Sequence, residues 1–169
     1  MSAGPAGRLR RWRRVGVELL LVLFVVLAVR AWQQRGLPQE MAPPLQGFTS
    51  SGQPYRLDPS LHPRLVHFWA SWCGVCRAEL ANIAAVAREH EVVTVAMRSG
   101  SGQEVADYLR QEGVDFPVVN DADGSLAQSW GVQAVPISFI LAPDGRIRFI
   151  EVGYTTTPGL RLRLWWAGL

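Results

Sequence analysis

The sequence predicts an α/β domain in which helices flank a central mixed β-sheet, preceded by an N-terminal transmembrane helix. From residue 45 onward, short apolar runs alternate with segments of helical periodicity, as in folds that pack helices on a sheet. Near the N-terminus, an apolar segment approaches the length of a membrane span. The length of 169 residues and the apolar content of 49% suit one packed domain with one appended segment.

The N-terminal region divides into a basic tail, an apolar segment and a linker. Residues 1–14 are rich in arginine, and residues 15–32 are largely apolar. Because the arginines precede the apolar segment, the tail is expected in the cytoplasm and the domain outside it. Residues 15–32 are therefore predicted to be a signal-anchor, with a cleaved signal peptide as the alternative. Residues 33–44 are predicted to be an extended linker, and residues 45–169 the folded domain.

Charge is unevenly distributed along the chain. Residues 1–35 contain seven arginines and one glutamate, whereas residues 36–169 contain ten arginines and thirteen acidic residues, a balance of −3. The net charge of +3 therefore originates in the N-terminal tail. Because the domain lacks an excess of basic residues, no nucleic acid partner is expected.

The first half of the domain is predicted to contain a hairpin, a central strand and a helix. Residues 45–48 and 55–57 flank a Ser-Gly-Gln-Pro turn, which is typical of a β-hairpin. Residues 65–69 form the apolar run of the central strand, and residues 78–89 have helical periodicity. The inward stripe of this helix is predicted to be Cys76, Leu80, Ile83 and Ala87.

The middle of the domain is predicted to continue with alternating strands and helices. Residues 92–97 form an apolar run that suits a buried parallel strand. Ser101 and Glu104 have the spacing of a capping box, which predicts a helix after them. Residues 116–119 are predicted to be a further strand, and Asp123 is a candidate cap for a short helix that follows it.

The C-terminal third is predicted to contain a hairpin and a terminal helix. The apolar runs 138–141 and 147–152 flank Asp144-Gly145, which is a strong hairpin signal. In residues 160–164 leucine alternates with arginine, which favours a strand. Thr157-Pro158, in contrast, has the residue types of a helix start.

The two cysteines of the chain stand in the pattern Cys73-Gly74-Val75-Cys76, between the predicted central strand and the helix after it. A helix start has unpaired N–H groups and the positive end of the helix dipole, which stabilise a thiolate and lower the pKa of a cysteine. Cys73 is therefore expected to attack a substrate disulfide, and Cys76 to resolve the mixed disulfide. A structural disulfide or a pair of inert thiols is the alternative. Zinc is not expected, because a structural site needs about four ligands.

Three segments carry a resemblance to the thioredoxin superfamily. The sequence FWASWCGVCRAEL, residues 68–80, resembles the active-site segment of TlpA-like membrane-anchored bacterial thioredoxins. The sequence WGVQAVPISF, residues 130–139, resembles their cis-proline segment. The sequence PGLRLRLW, residues 158–165, resembles the C-terminus of the ScsD-like branch, named after suppressor for copper sensitivity protein D. The resemblance implies a thioredoxin fold over residues 45–169, a helical C-terminus and disulfide oxidoreductase activity.

The resemblance also implies a substrate-binding surface beside the cysteines. A cis peptide bond is expected before Pro136, where Val135 leaves backbone groups free to pair with a substrate strand. Trp72 is expected to shield the nucleophile, and Gly74 and Val75 are expected to contact substrate. Val135 replaces the threonine that is frequent in reductive relatives, so the sequence leaves open whether the protein is a reductase or an oxidase.

Two ionisable residues near the cysteines are further candidates. His67 occupies the position at which thioredoxin carries a buried aspartate, so it is predicted to relay a proton to or from Cys76. The alternative is a core histidine satisfied by a backbone partner. Glu79 resembles the acidic residue that follows the second cysteine of TlpA-like proteins and is predicted to tune the site. The alternative for Glu79 is a solvated helix charge.

These features predict a thiol–disulfide oxidoreductase that is anchored in the bacterial inner membrane, faces the periplasm and acts on protein thiols and disulfides. The Cys73–Cys76 pair is its redox centre, so no organic cofactor or metal is expected. A membrane redox partner is expected to recharge the dithiol. The alternative function is a periplasmic Cu(I)-binding protein, since thiolates suit this soft ion. Copper chaperones of this fold typically use CxxxC and a distant histidine, which the CxxC spacing does not match.

Overall fold

The computed structural model describes residues 5–38 and 40–169, and it divides the chain into two compact units, Met1–Arg35 and Gly36–Leu169. The first unit consists of helix α1, Pro5–Gln33, whose apolar side chains between residues 15 and 29 are exposed. Judged by length and apolarity together, none of the helices in the described residues qualifies as a membrane span. The predicted transmembrane helix is therefore not confirmed, and residues 1–4 of the predicted tail lie outside the described part.

The described residues of the second unit form a seven-stranded mixed sheet flanked by helices, as predicted. The strand order is β2-β1-β5-β4-β3-β6-β7, in which β3 is parallel to β4 and antiparallel to β6. The strands are β1 (Gln46–Thr49), β2 (Pro54–Arg56), β3 (Arg64–Trp69), β4 (Glu91–Met97), β5 (Val118–Asp121), β6 (Ile137–Leu141) and β7 (Ile147–Val152). The helices are α2 (Gly74–Ala87), α3 (Gly102–Gln111), α4 (Ser125–Ser129) and α5 (Thr157–Ala167).

The sheet separates two apolar clusters, because successive side chains of a strand point to opposite faces. In β3, Leu65 and Trp69 belong to the first cluster, where helices α2, α3 and α5 pack. Val66 and Phe68 belong to the second cluster, which includes Trp130 at the end of α4. Strand β3 is thus buried on both faces and holds the segment that follows it in a fixed position.

The folded unit begins at Gly36, before the start predicted from sequence. Leu37 and Leu45 are 6% and 1% exposed and belong to the second cluster. Between them, Met41 forms an antiparallel bridge with Arg146, next to the start of β7. We call residues 36–45 the strap. Its prolines and glycine suggested an extended linker, but Leu37 and Leu45 are packed in the second cluster.

Helix α4 is held mainly by a residue of the preceding strand, and not by its predicted cap alone. The carboxylate of Asp121, at the end of β5, accepts hydrogen bonds from the backbone N–H groups of Leu126 and Ala127 at 3.0 and 2.9 Å. The N-cap position is Gly124, and the predicted cap Asp123 instead accepts from Ser125 N at 3.0 Å. Two of the backbone N–H groups that have no acceptor within the helix are therefore hydrogen-bonded to a strand residue.

The C-terminal segment is a helix, as the resemblance implied. Thr156 is its N-cap and accepts a hydrogen bond from Gly159 N at 3.3 Å. Leu160 and Leu164 are buried, which is the i, i+4 spacing of a helix face, whereas Leu162 is exposed. The alternation of leucine and arginine therefore does not reflect a strand.

Candidate active site

The two cysteines lie at the start of α2 and form a disulfide with a Cα–Cα distance of 5.2 Å. Cys73 is the N-cap of the helix, and its Sγ accepts a hydrogen bond from Cys76 N at 3.1 Å. Cys73 is 8% exposed and Cys76 is 0% exposed. After reduction, the N–H group and the helix dipole would stabilise a thiolate at Cys73, the sulfur that a substrate can reach.

The loop before β6 packs against the disulfide. The Val135-Pro136 peptide bond is cis, as expected. The carbonyl oxygen of Val135 lies 3.7 Å from Cys73 Sγ, and the carbonyl oxygen of Pro136 accepts a hydrogen bond from Gly153 N at 2.9 Å. The end of β7 therefore holds this loop in place beside the reactive sulfur.

An exposed apolar surface surrounds Cys73. Trp72 is 62% exposed and Val75 is 51% exposed, and Gly74 between the cysteines is exposed as well. The indole N–H of Trp72 donates to the carbonyl oxygen of Arg98 at 3.1 Å. Arg98 has a φ of 46°, a conformation that non-glycine residues seldom adopt, and it follows directly on β4. The turn after β4 thus fixes the tryptophan at the rim of the site.

His67 lies in the middle of β3 and is 0% exposed. Its Nδ1 lies 2.9 Å from Ser138 Oγ, and its Nε2 has no hydrogen-bond partner among the described residues. Burial lowers the pKa of His67 to about 3, so the ring is neutral around neutral pH. The alternative of a backbone partner is wrong, because the partner is the side chain of Ser138.

Glu79 lies on the inward face of α2, three positions after Cys76, and is 0% exposed. Its Oε1 accepts hydrogen bonds from Thr155 N at 3.0 Å and from Thr155 Oγ1. Its Oε2 has no partner among the described residues. Burial raises the pKa of the Glu79 carboxyl, while the two hydrogen bonds from Thr155 lower it in part. The alternative of a solvated helix charge is therefore wrong.

Comparison with known proteins places the chain in a family. Residues 37–161 match the Redoxin family. The chain belongs to the Redoxin family. A thioredoxin-like protein of Haemophilus influenzae is 32% identical over 166 residues, which cover 95% of this chain and 97% of the relative. The thiol:disulfide interchange protein DsbE of Xylella fastidiosa is 29% identical over 150 residues, 82% of this chain and 75% of that protein.

A solved structure agrees with this assignment to the Redoxin family. StoA of Bacillus subtilis has a TM-score of 0.61 and 26% identity, over 76% of this chain and 99% of StoA. The predicted thioredoxin-like fold, the relation to TlpA-like thioredoxins and the class of thiol–disulfide oxidoreductase are confirmed. The narrower resemblance to the ScsD-like branch stays a prediction.

The cysteine pair is the candidate redox centre of this redoxin. Within residues 5–38 and 40–169, no three histidine, cysteine, aspartate or glutamate side chains come together as metal ligands. The sulfurs of Cys73 and Cys76 are bonded to each other, so neither is a free thiolate in this oxidised state. The dithiol–disulfide couple itself can carry two electrons.

Two partners of the site were missed by sequence reasoning. Ser138 binds His67 across neighbouring strands, and Thr155 binds Glu79 from the loop before α5. Both lie far along the chain from the residues they contact. For Ser138, the signal would have been the strand register, which places it directly opposite His67. For Thr155, no pattern in the sequence of this redoxin points to the contact.

Proposed function

We propose that this protein exchanges disulfides with protein substrates outside the cytoplasm, with Cys73 as nucleophile and Cys76 as resolving residue. The observation that carries the proposal is the position of Cys73 Sγ. It caps a helix start, accepts a hydrogen bond from Cys76 N and lies 3.7 Å from the Val135 carbonyl oxygen. A sulfur so placed is activated by the backbone and lies next to a loop that can pair with a substrate strand.

The exchange proceeds in two balanced steps. In the direction of substrate reduction, the Cys73 thiolate attacks one sulfur of a substrate disulfide, and the other substrate sulfur leaves as a thiolate that takes up a proton. Cys76 then loses its proton and attacks Cys73 Sγ. The Cys73–Cys76 disulfide forms, the second substrate thiol is released, and two electrons have passed to the substrate. In the direction of substrate oxidation, the same bonds form and break in reverse.

His67 and Glu79 are proposed to support the second step. Cys76 is completely buried, so a proton that leaves it needs an acceptor inside the protein. His67 Nε2 lies on the same face of the sheet as the cluster that contains Cys76 and has no partner among the described residues. Glu79 shares the inward face of α2 with Cys76, and burial raises the pKa of its carboxyl, as is common for groups that exchange protons in active sites.

The substrate is proposed to be a polypeptide, bound across the exposed residues Trp72, Gly74 and Val75 and along the neighbouring loop of Val135 and Pro136, where Val135 is half-buried and Pro136 is buried. Exposed aromatic and aliphatic side chains beside a free backbone segment suit an extended peptide, which binds by main-chain hydrogen bonds and side-chain contacts. No organic cofactor is proposed, because the cysteine pair is sufficient for the chemistry. After each turnover, a membrane redox partner would return the pair to its starting state.

We also propose that residues 15–32 anchor the chain in the inner membrane, with the catalytic unit in the periplasm. The exposed apolar side chains between residues 15 and 29 and the arginines before them support this proposal. In bacteria that produce the full chain, the protein should remain in the membrane pellet after extraction at high pH. Replacing Leu21 and Val25 by arginine should release it, whereas release of the unchanged protein would contradict the anchor.

The central test is the capture of the mixed disulfide. The variant Cys76→Ala cannot resolve the first intermediate, so cell proteins should remain bound to Cys73 through a bond that reductants break. The double variant Cys73→Ser/Cys76→Ala is the control and should capture none. In the reduced wild type, the rate of Cys73 alkylation should titrate clearly below the ordinary cysteine pKa of about 8.5. Titration at that ordinary value, together with an absence of captured proteins, would contradict the proposed function.

A further inference from the structure

Four neighbouring strands carry a polar side chain at the same level of the sheet. We call these residues the polar row: Thr94, His67, Ser138 and Glu151. His67 pairs in register with Thr94 on β4 and with Ser138 on β6, and Ser138 pairs with Glu151 on β7. Paired residues of adjacent strands point to the same face. The polar row therefore lies on the face of Leu65 and Trp69, where the first cluster contains Cys76.

The hydrogen bonds of the polar row leave His67 with one partner. Thr94 Oγ1 accepts from Trp69 Nε1 and donates to the carbonyl oxygen of Pro117, both at 3.1 Å. Its hydroxyl therefore has partners other than His67. Ser138 Oγ lies 2.9 Å from His67 Nδ1 and is buried with it, at 1% exposure. His67 Nε2 lacks a partner in the described part of the chain. The proton of the neutral ring therefore resides either at the bonded Nδ1 or at the unpartnered Nε2.

We propose that Ser138 is a positioning residue that keeps the proton of His67 on Nδ1 and leaves Nε2 as a free acceptor. A buried N–H donor without a partner is rarer in proteins than an unfilled acceptor, which favours the proton at Nδ1. The order of groups along the row favours it too. Ser138 pairs in register with Glu151, whose carboxylate can accept but not donate. A serine hydroxyl turned toward Glu151 leaves its oxygen to accept from Nδ1–H of His67.

This arrangement leaves Nε2 of His67 free to accept a proton in the resolving step. That role of His67 rests on the proposed function. When Cys76 attacks the mixed disulfide, its Sγ–H bond breaks and an Nε2–H bond forms on His67. The imidazolium, which a pKa of about 3 makes short-lived, keeps its Nδ1–H bond to Ser138. It passes the proton to the departing substrate thiolate, so the product leaves as a thiol and the ring is neutral again. The charged groups on this face of the sheet are Glu79, on the inward face of α2, and Glu151, which pairs in register with Ser138 and accepts from Arg163 Nε at 2.6 Å.

The test combines nitrogen NMR with rapid kinetics on the full chain in detergent micelles. In protein labelled with ¹⁵N-histidine, two-bond proton–nitrogen correlations show which ring nitrogen carries the proton, and His67→Ala assigns the signals. The wild type should show His67 protonated at Nδ1. For kinetics, the reduced protein attacks a peptide whose cysteine is joined to thionitrobenzoate. Release of thionitrobenzoate reports the attack by Cys73, and release of the peptide thiol reports resolution.

Three variants separate positioning from folding. Ser138→Ala should move the His67 proton to Nε2 and slow resolution about tenfold, with the attack by Cys73 unchanged. Ser138→Thr should restore both. Thr94→Val removes the matched hydroxyl on the other side of His67 and should change neither. A wild-type ring protonated at Nε2, or a Ser138→Ala protein with unchanged resolution, would overturn the proposal. A wild type that fails to attack the peptide would instead contradict the proposed function, while the NMR result would still decide the role of Ser138.

Discussion

At the scale of single residues, the candidate active site contains two side chains that are buried without a full set of hydrogen-bond partners. Both His67 and Glu79 are completely buried, and each has one atom that lacks a hydrogen-bond partner in the described part of the chain. A buried polar atom without a partner lowers the free energy of unfolding. Buried ionisable groups of this kind are therefore expected mainly where a reaction uses them. The resemblance to thioredoxin and to TlpA-like proteins indicated both positions as candidates. Their partners Ser138 and Thr155 were beyond prediction, because each contact depends on how distant segments pack.

Glu79→Gln should remove a pH dependence of stability. Because burial raises the pKa of Glu79, the folded state loses stability as pH rises from the usual glutamate value of about 4.3 through the raised value. The glutamine variant keeps an oxygen for Thr155 but cannot ionise. Its free energy of unfolding should therefore exceed that of the wild type by an amount that grows over this pH range and then levels off.

This prediction is checked by urea unfolding of the oxidised proteins between pH 4 and pH 8. Each unit by which the pKa is raised corresponds to about 1.4 kcal/mol. Glu89→Gln is the matched control, since Glu89 pairs with Arg161 at an exposed site. A constant difference between Glu79→Gln and the wild type at all pH values would show that the pKa of Glu79 is not raised.

At the scale of elements, periodicity predicted most strands and helices but not how their ends are fixed. The stripe at Cys76, Leu80 and Ile83 is buried as predicted, because a helix repeats its faces regardless of context. The capping box of Ser101 and Glu104 is also present, since both its members are local. Helix α4 differs, because two N–H groups at its start are hydrogen-bonded to Asp121 of strand β5, which does not belong to the turn just before the helix.

Asp121→Ala should lower the free energy of unfolding by about 2 kcal/mol, because two backbone N–H groups at the start of α4 lose a buried carboxylate acceptor. Urea unfolding measures the loss. Asp123→Ala removes an exposed carboxylate with one backbone hydrogen bond and should cost about 0.5 kcal/mol. Equal losses for the two variants would show that Asp121 does not hold the helix start.

At the scale of the whole molecule, the folded unit includes more of the chain than its composition suggested. The family match begins at residue 37, and the compact unit begins at Gly36. Prolines and glycine in residues 33–44 resemble a linker, and no periodicity marks Leu37 as a core residue. Its burial depends on packing in the second cluster, whose other members lie further along the chain, so local sequence does not encode it. The fold class was predictable because the segments 68–80, 130–139 and 158–165 all resemble the same superfamily.

Leu37→Ala should lower the free energy of unfolding by about 3 kcal/mol, the cost of removing a large side chain from a packed core. Met41→Ala, also in the strap, should change it by less than about 0.5 kcal/mol, since Met41 is 55% exposed. Chemical unfolding of the full chain measures both. If Leu37→Ala were as mild as Met41→Ala, the strap would not be part of the folded core.

The strap has a further consequence for colloidal behaviour. An open sheet offers unsatisfied main-chain groups along its outermost strands, and these recruit other chains into aggregates. Here Ile147 N at the start of β7 donates to Glu40 O at 2.7 Å, and Ala42 N donates to Gly145 O at 3.1 Å. At the opposite margin, β2 is three residues long and begins with Pro54. A proteolytic cut that frees the strap would therefore expose the unpaired main-chain groups of strand β7. The clipped protein would be expected to precipitate, while the intact chain stays dispersed.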